Sequence, residues 1–358
     1  MEIVKAQRKD FKRIVSFIGK VFHKRFPSLL PKLYTSDEIC DYHFLAKEDG
    51  KILGTVASIP VTYHIPGAEI KAYGIGMVSV DPAARGKGVM DALLTKAVES
   101  AKAEGGEIAY LSGNRQRYER YGFVPSGSKI VFNFFDDNFK YMPSDDNITV
   151  KKGMDEKEEA FAKELHSLNL YRYDRKEFAK CLKSWHNKPF TVYYGEEFIG
   201  YGVMGRNKTV KELCLKKGKE NLYNATIVKL ASGVSRLSVE VEPYQKEQIK
   251  ELSDYAGKFY VDYADDFCIL NFASVLEKTL NTRKRSDGEL KLGIDDKTYD
   301  IVVKGGFAKV EETRDIPDIS MTQSQATMTI FSALSFSDNL NNDWFGDVYL
   351  TMSDPDNV

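Results

Sequence analysis

The chain has 358 residues, more than one hydrophobic core usually organises, so two or three domains are expected. Its 51 Lys and Arg nearly cancel its 52 Asp and Glu, and a net charge of −1 supplies no global field toward nucleic acid or an anionic membrane. No run of eighteen apolar residues occurs, and Met1-Glu-Ile-Val-Lys-Ala lacks an apolar signal core, so a soluble cytoplasmic protein with neither nucleic-acid nor membrane partners is expected. Cys40, Cys181, Cys214 and Cys268 are widely separated, and the five histidines show no paired spacing. No metal site is expected, and the cysteines suit small buried positions in a reducing compartment.

In chain order, a short strand at Ile3–Lys5 precedes apolar residues at Phe11, Ile14, Val15, Ile18 and Phe22, which recur at three and four and predict one face of a helix. Tyr42–Ala46 and Lys51–Ala57 flank Asp49-Gly50, a hairpin turn signal, and Ala72–Val80 supplies the next strand. The order is strand, helix, antiparallel meander. A helix then buries Met90, Leu93, Leu94, Ala97, Val98 and Ala101 and stops at Gly105-Gly106. After a strand at Ile108–Ser112 and a short helix carrying Tyr118, the run Lys129–Phe135 reads as a strand that closes the first unit.

A loop rich in Asp, Asn and Pro, 136–147, separates this unit from a second. There a helix at Asp155–Leu168 leads into strands Phe190–Tyr194, Phe198–Met204 and Val210–Leu215. Phe44–Ser58 and Thr191–Gly205 read as the same hairpin twice. From about Leu276 come a helix, three strands (Glu289–Ile294, Thr298–Lys304, Phe307–Glu312) and a helix at Gln323–Leu334, a small α+β lobe.

The most specific stretch runs from Gly76 to Leu94: strand, tight glycine loop, helix. Gly86 and Gly88 let successive backbone N–H groups converge at a helix N-terminus, where the dipole favours an anion. Ser79 stands where a dinucleotide fingerprint needs its third glycine, and Gly88 stands where a P-loop needs Ser or Thr after its Lys. What remains, Arg85-Gly86-Lys87-Gly88 running into Val89-Met90, resembles the Arg-x-x-Gly-x-Gly/Ala pyrophosphate motif of the GCN5-related N-acetyltransferases (GNAT). About thirty residues on, Tyr118-Glu-Arg-Tyr-Gly122-Phe123 matches that family's Tyr-x-x-x-Gly-Phe signature. The helix, meander and helix of the last lobe resemble the sterol-carrier-protein-like domain of one branch, the enhanced intracellular survival (Eis) family.

The resemblance implies an α+β chain with mixed, mostly antiparallel sheets: a catalytic acetyltransferase domain at 1–140, a degenerate second copy at 141–274 without its own Arg-x-x-Gly-x-Gly, and a sterol-carrier-like domain at 275–358. It implies acetyl-CoA as co-substrate, a primary amine of a small cation or a lysine side chain as acceptor, and homo-oligomers, with rings of six in the family. Backbone amides from Gly86 to Met90, with Arg85 and Lys87 nearby, would hold the pyrophosphate. The edge Val78-Ser79-Val80 would pair with the pantetheine arm. Tyr118 occupies the family's general-acid position, and packing is its alternative role. Asn114 is either a coenzyme-facing amide or a simple turn residue.

The base is missing from its usual place, because Tyr73–Val80 contains no carboxylate. In the Eis branch the chain's own terminal carboxylate enters the site, which makes Val358 the candidate here, against an ordinary exposed terminus. Asp354 and Asp356 would then lend negative potential attractive to cationic amines. A reading of another class, a non-catalytic acyl-CoA- or lipid-binding protein, predicts a deep apolar cavity in the last lobe.

Overall fold

The computed structural model describes residues 1–332, 342–345 and 347–358, and three sheets organise them. The first contains β1 (Glu2–Lys5), β2 (His43–Glu48), β3 (Lys51–Ile65), β4 (Ala68–Val80), β5 (Ile108–Leu111), β6 (Val124–Ser126), β9 (Arg172–Tyr173) and β15 (Asp265–Ile269). Their spatial order is β1-β2-β3-β4-β5-β15-β6, with β9 paired to the far end of β3. The second sheet contains β7 (Lys129–Phe135), β8 (Ile148–Lys152), β10 (Lys188–Tyr194), β11 (Glu197–Met204), β12 (Thr209–Leu215), β13 (Arg236–Val241) and β14 (Lys258–Asp262), in the order β14-β7-β13-β12-β11-β10-β8. The third, β18-β17-β16-β19, is built from β16 (Gly288–Ile294), β17 (Lys297–Lys304), β18 (Phe307–Thr313) and β19 (Ile319–Met321). The α+β, mostly antiparallel class expected from the sequence is the one observed.

Local chemistry explains the elements. Asp49 (φ 48°) and Gly50 (φ 71°) both take positive φ, the geometry a two-residue hairpin requires, and β2 and β3 pair on either side. The helix Phe11–Phe22 buries Ile14 and Ile18, although Phe22, at its end, stays 39% exposed. The helix Val89–Ala103 buries Val89, Leu93, Leu94, Ala97 and Ala101 against β2, β3 and β4. The repeated hairpin is real at the level of topology, since β1-β2-β3-β4-β5 and β8-β10-β11-β12-β13 follow the same order.

One strand lies elsewhere than expected. Lys129–Phe135 does not close the first sheet; β7 pairs with β13 and β14 in the second, while β15, from far along the chain, pairs with β5 and β6 in the first. The two sheets thus exchange strands. A strand buried on both faces has the same residue pattern in either sheet, so its neighbours are set by long-range packing.

The helix Phe272–Leu280 packs on β18 of the third sheet and Gln323–Phe331 on β6 and β15 of the first; the expected continuation of the second helix to Leu334 lies outside the described residues. Leu292, Ile294, Tyr299, Ile301, Val303 and Val310 share one buried cluster with Tyr63, Ile70, Ala72, Ile108 and Tyr110 of the first sheet. The lobe is therefore cemented to the face of the first sheet opposite the helix Val89–Ala103. All four cysteines are free and buried. Among the described residues no helix is long and apolar enough to cross a membrane.

Candidate active site

The site begins where two parallel strands part. β4 and β5 pair only at Ala72–Ile108, Tyr73–Ala109 and Gly74–Tyr110, so beyond Gly74 the edge of β4 faces an opening. On its other edge, Ser79 pairs with Thr55 and Gly76 with Ala57, which leaves Met77 and Val78 together opposite Val56. This is a β-bulge, and Met77 adopts a left-handed φ of 53° to make it. The buried Ser79 hydroxyl donates to the Met77 carbonyl at 3.2 Å, tying the bulge together, and Val80 returns to register opposite Gly54.

The chain then enters the glycine loop. Asp81 Oδ1 accepts the Ala83 N–H at 2.9 Å and starts a single turn at Pro82–Ala84. Arg85, Gly86 (φ 77°), Lys87 and Gly88 (φ 73°) follow, all exposed. A methyl group at Gly86 or Gly88 would meet nothing within 4 Å, so these glycines are required for their backbone angles and not for crowding. The helix Val89–Ala103 makes its first internal bond from Ala92 N–H to Gly88 O at 3.0 Å, and no side chain caps it. The amides of Val89, Met90 and Asp91 therefore face the loop without helical acceptors, at the positive end of fifteen aligned peptide dipoles.

At the far end of β5, Ser112 and Gly113 lead into the short helix Arg115–Tyr118. Asn114 caps it through Oδ1, which accepts the Gln116 N–H at 3.1 Å; its amide nitrogen is left for other partners. The Tyr118 ring lies against Gly113, where any side chain would overlap it. Burial raises the Tyr118 phenol above its ordinary pKa, partly opposed by Arg117, so the hydroxyl keeps its proton at neutral pH.

The last eleven residues reach this opening. Val348, Leu350, Thr351 and Met352 are buried; Ser128 N–H donates to Leu350 O at 3.2 Å, and the Tyr63 hydroxyl donates to Tyr349 O at 3.1 Å. A turn closed by Asp356 N–H to Ser353 O at 3.0 Å then directs the end into the opening between β4 and β5. A methyl group at Gly74 would stand 2.7 Å from Val358 Cγ2 and 2.9 Å from the Tyr110 hydroxyl; one at Gly76 would stand 3.3 Å from the Val358 carboxyl carbon. Two glycines on one face of β4 thus form the seat of the final residue. Asn357 Nδ2 donates to Ser112 Oγ at 2.5 Å and to Asp265 Oδ2 at 3.0 Å. Burial pushes the Asp265 carboxyl up to about 7, against the stabilising Ser112 hydroxyl. Consecutive residues Ser112 and Gly113 hence touch the chain end and Tyr118 respectively.

A cleft of about 780 Å³ adjoins Val358, lined by Ile39, Tyr42, Pro60, Ile70 and Tyr110 together with ionic groups. Asp354 and Asp356 are both ion-paired: Asp356 binds Arg175 in a fork at 2.7 and 2.8 Å, and Asp354 pairs with Lys211 at 3.3 Å, each cation also serving a glutamate, Glu212 and Glu240 respectively. Burial alone would raise the Asp356 carboxyl, but Arg175 prevails and holds it down at about 2. Lys32 also faces this cleft, donating to Pro355 O at 2.7 Å, and burial lowers its amine below the ordinary lysine range.

The sequence did not single out Gly74, Tyr110 or Arg175, and Gly76 stood out only as the start of the strand, loop and helix. The available signal was Gly74-Ile-Gly76 inside a strand, since glycines two apart on one face mark a close approach of other chain.

A parted sheet, a bulged strand and an uncapped helix behind a glycine loop thus stand together at one opening. Residues 2–125 match the model of the acetyltransferase (GNAT) domain, and the protein is an acyltransferase that carries this domain. A search among curated proteins finds no match. Among solved structures, an Enterococcus faecalis protein of unknown function, described as a probable N-acyltransferase, aligns over 98% of this chain and 97% of its own, at 15% identity and a TM-score of 0.73. A GCN5-related N-acetyltransferase from Anabaena variabilis aligns over 93% and 90%, at 15% identity and 0.70. Eis1 from Mycobacterium abscessus aligns over 98% and 97%, at 13% identity and 0.69. At such identities these three share the fold across the whole length.

Proposed function

We propose that the protein is an acetyl-CoA-dependent N-acetyltransferase acting on a primary amine of a small cationic molecule or a lysine side chain. The observation that carries this reading is the chain end at the first opening: Val358 is seated against Gly74 and Gly76, and Asn357 bonds Ser112, the neighbour of the Gly113 against which Tyr118 lies. Coenzyme A is a fitting substrate because the uncapped amides after Gly88 suit its diphosphate, and the open edge of β4 suits its pantetheine amides. The amine nitrogen bonds to the thioester carbon as the carbon–sulfur bond breaks. Its surplus proton passes to the Val358 carboxylate, and the thiolate takes the Tyr118 hydroxyl proton. A lysine-like amine with an ordinary pKa of about 10.4 is mostly protonated at neutral pH, so a proton acceptor at this place has work to do.

The apolar side chains of the third lobe that share a cluster with the first sheet favour a structural role over lipid carriage. The test is release of free CoA from acetyl-CoA over a panel of amines: a polyamine, an aminoglycoside and a lysine peptide. Amine-dependent release that falls about 100-fold in Tyr118→Phe supports the proposal. Binding of acetyl-CoA with no turnover for any amine refutes it.

A further inference from the structure

The second sheet repeats the parting of the first. β12 and β13 run parallel and pair only at Thr209–Ser238 and Val210–Val239. The next residue on each side, Lys211 and Glu240, are joined by an ion pair of 2.7 Å, and Lys211 reaches on to Asp354. The tail therefore crosses the mouth of this second opening before it ends in the first. A small polar chamber there is walled by Glu212, Cys214, Glu240, Thr351, Ser353 and Asp356.

Arg175 holds the crossing point. It is 6% exposed and uses both edges of its guanidinium. Nη1 and Nη2 meet Glu212 of β12 at 3.0 and 2.7 Å, Nε and Nη2 meet Asp356 at 2.7 and 2.8 Å, and Nη2 also meets Ser353 Oγ at 3.2 Å. Only a planar fork serves two carboxylates in this way; an ammonium would not. A single residue, Asn357, separates Asp356 from Val358, and its carbonyl accepts from Trp185 Nε1 at 3.3 Å. Fixing Asp356 consequently fixes the terminal carboxylate to the scale on which proton transfer depends.

We infer that the second unit serves the reaction through the tail, with Arg175 as the positioning residue that aims the Val358 carboxylate across from the second opening into the first. This inference rests on the proposed role of that carboxylate. Arg175 touches no reacting atom, and its effect is on turnover and not on coenzyme binding.

The experiment compares the full-length protein, Arg175→Ala, Asp356→Asn and a chain lacking residues 356–358, using acetyl-CoA and the best amine of the panel above. Arg175→Ala is expected to lower kcat about 100-fold with KM for acetyl-CoA within about twofold, and millimolar guanidinium is expected to restore at least about tenfold of that loss. Guanidinium is expected to leave the parent protein's kcat unchanged. Asp356→Asn keeps Arg175 paired with Glu212 and removes only the tail's charge; a kcat loss of about tenfold without guanidinium rescue is expected. It carries the test where Arg175→Ala does not fold. If the truncated chain turns over like the parent, the carboxylate reading has failed and this inference falls with it. If truncation abolishes turnover while Arg175→Ala (or, where that variant does not fold, Asp356→Asn) retains the parent kcat, the positioning role alone is overturned.

Discussion

The molecule contains the same opening twice, and among the described residues only one of the two lies behind a glycine loop. In the first sheet the opening between β4 and β5 lies beside a bulge at Met77, two positive-φ glycines and a helix whose leading amides are uncapped. In the second, the opening between β12 and β13 has no such loop beside it among the described residues, and Lys211 and Arg175 tie its walls to the tail. In the proposed reading one strand topology serves as a reactive slot or as a clamp, according to which groups stand at the opening. Fold alone does not distinguish them; the local pairing of amides and charges does.

Closing the first opening is the most drastic way to break this contrast. Gly74→Ala places a methyl group 2.7 Å from Val358 and 2.9 Å from the Tyr110 hydroxyl, so displacement of the chain end and a kcat loss of about 100-fold are expected, read by steady-state kinetics beside a normal circular-dichroism spectrum. Next comes a stability effect on the clamp side. Burial first, then Glu240, raises the Glu242 carboxyl to about 8, and its Oε2 has no hydrogen-bond partner among the described residues. The folded pKa lies above the unfolded one, so folding loses stability as pH rises from about 4.5 to 8. Glu242→Gln should relieve this by on the order of 2 kcal/mol at pH 8.5 and by almost nothing at pH 4, measured by urea unfolding.

Gly88→Val forces a branched side chain into a left-handed backbone at the helix start. It should raise KM for acetyl-CoA about tenfold with kcat nearly unchanged, because it disturbs the cradle and leaves the acid and base in place. Smallest is Lys211→Met, which removes one tail contact while Arg175 remains; about threefold in kcat is expected, and a loss as large as that of Gly74→Ala would show that the two openings are not separable in function.

The slot was far easier to read from sequence than the clamp. Arg85-Gly-Lys-Gly88 is local: four neighbouring residues dictate backbone angles, and the helix follows from the apolar spacing of Leu93, Leu94 and Ala97. The hairpin at Asp49-Gly50 was legible for the same reason. The exchange of β7 and β15 between sheets was not, since pairing partners more than a hundred residues apart leave no mark on the strands themselves. Arg175 was equally silent. It is one of 51 basic residues, in no motif, and its meaning comes from Glu212 and Asp356 arriving from distant parts of the chain. The tail fell between these cases: Val358 was a candidate by resemblance, while its seat depended on a glycine pair nearly three hundred residues earlier.

The central claim is that the final residue acts in the first opening. Its most direct test is to remove residues 356–358 and measure acetyl-CoA binding by calorimetry alongside amine-dependent CoA release. The account predicts binding within about twofold of the parent and turnover reduced at least about 100-fold. Turnover equal to the parent's, with the same coenzyme affinity, would contradict it.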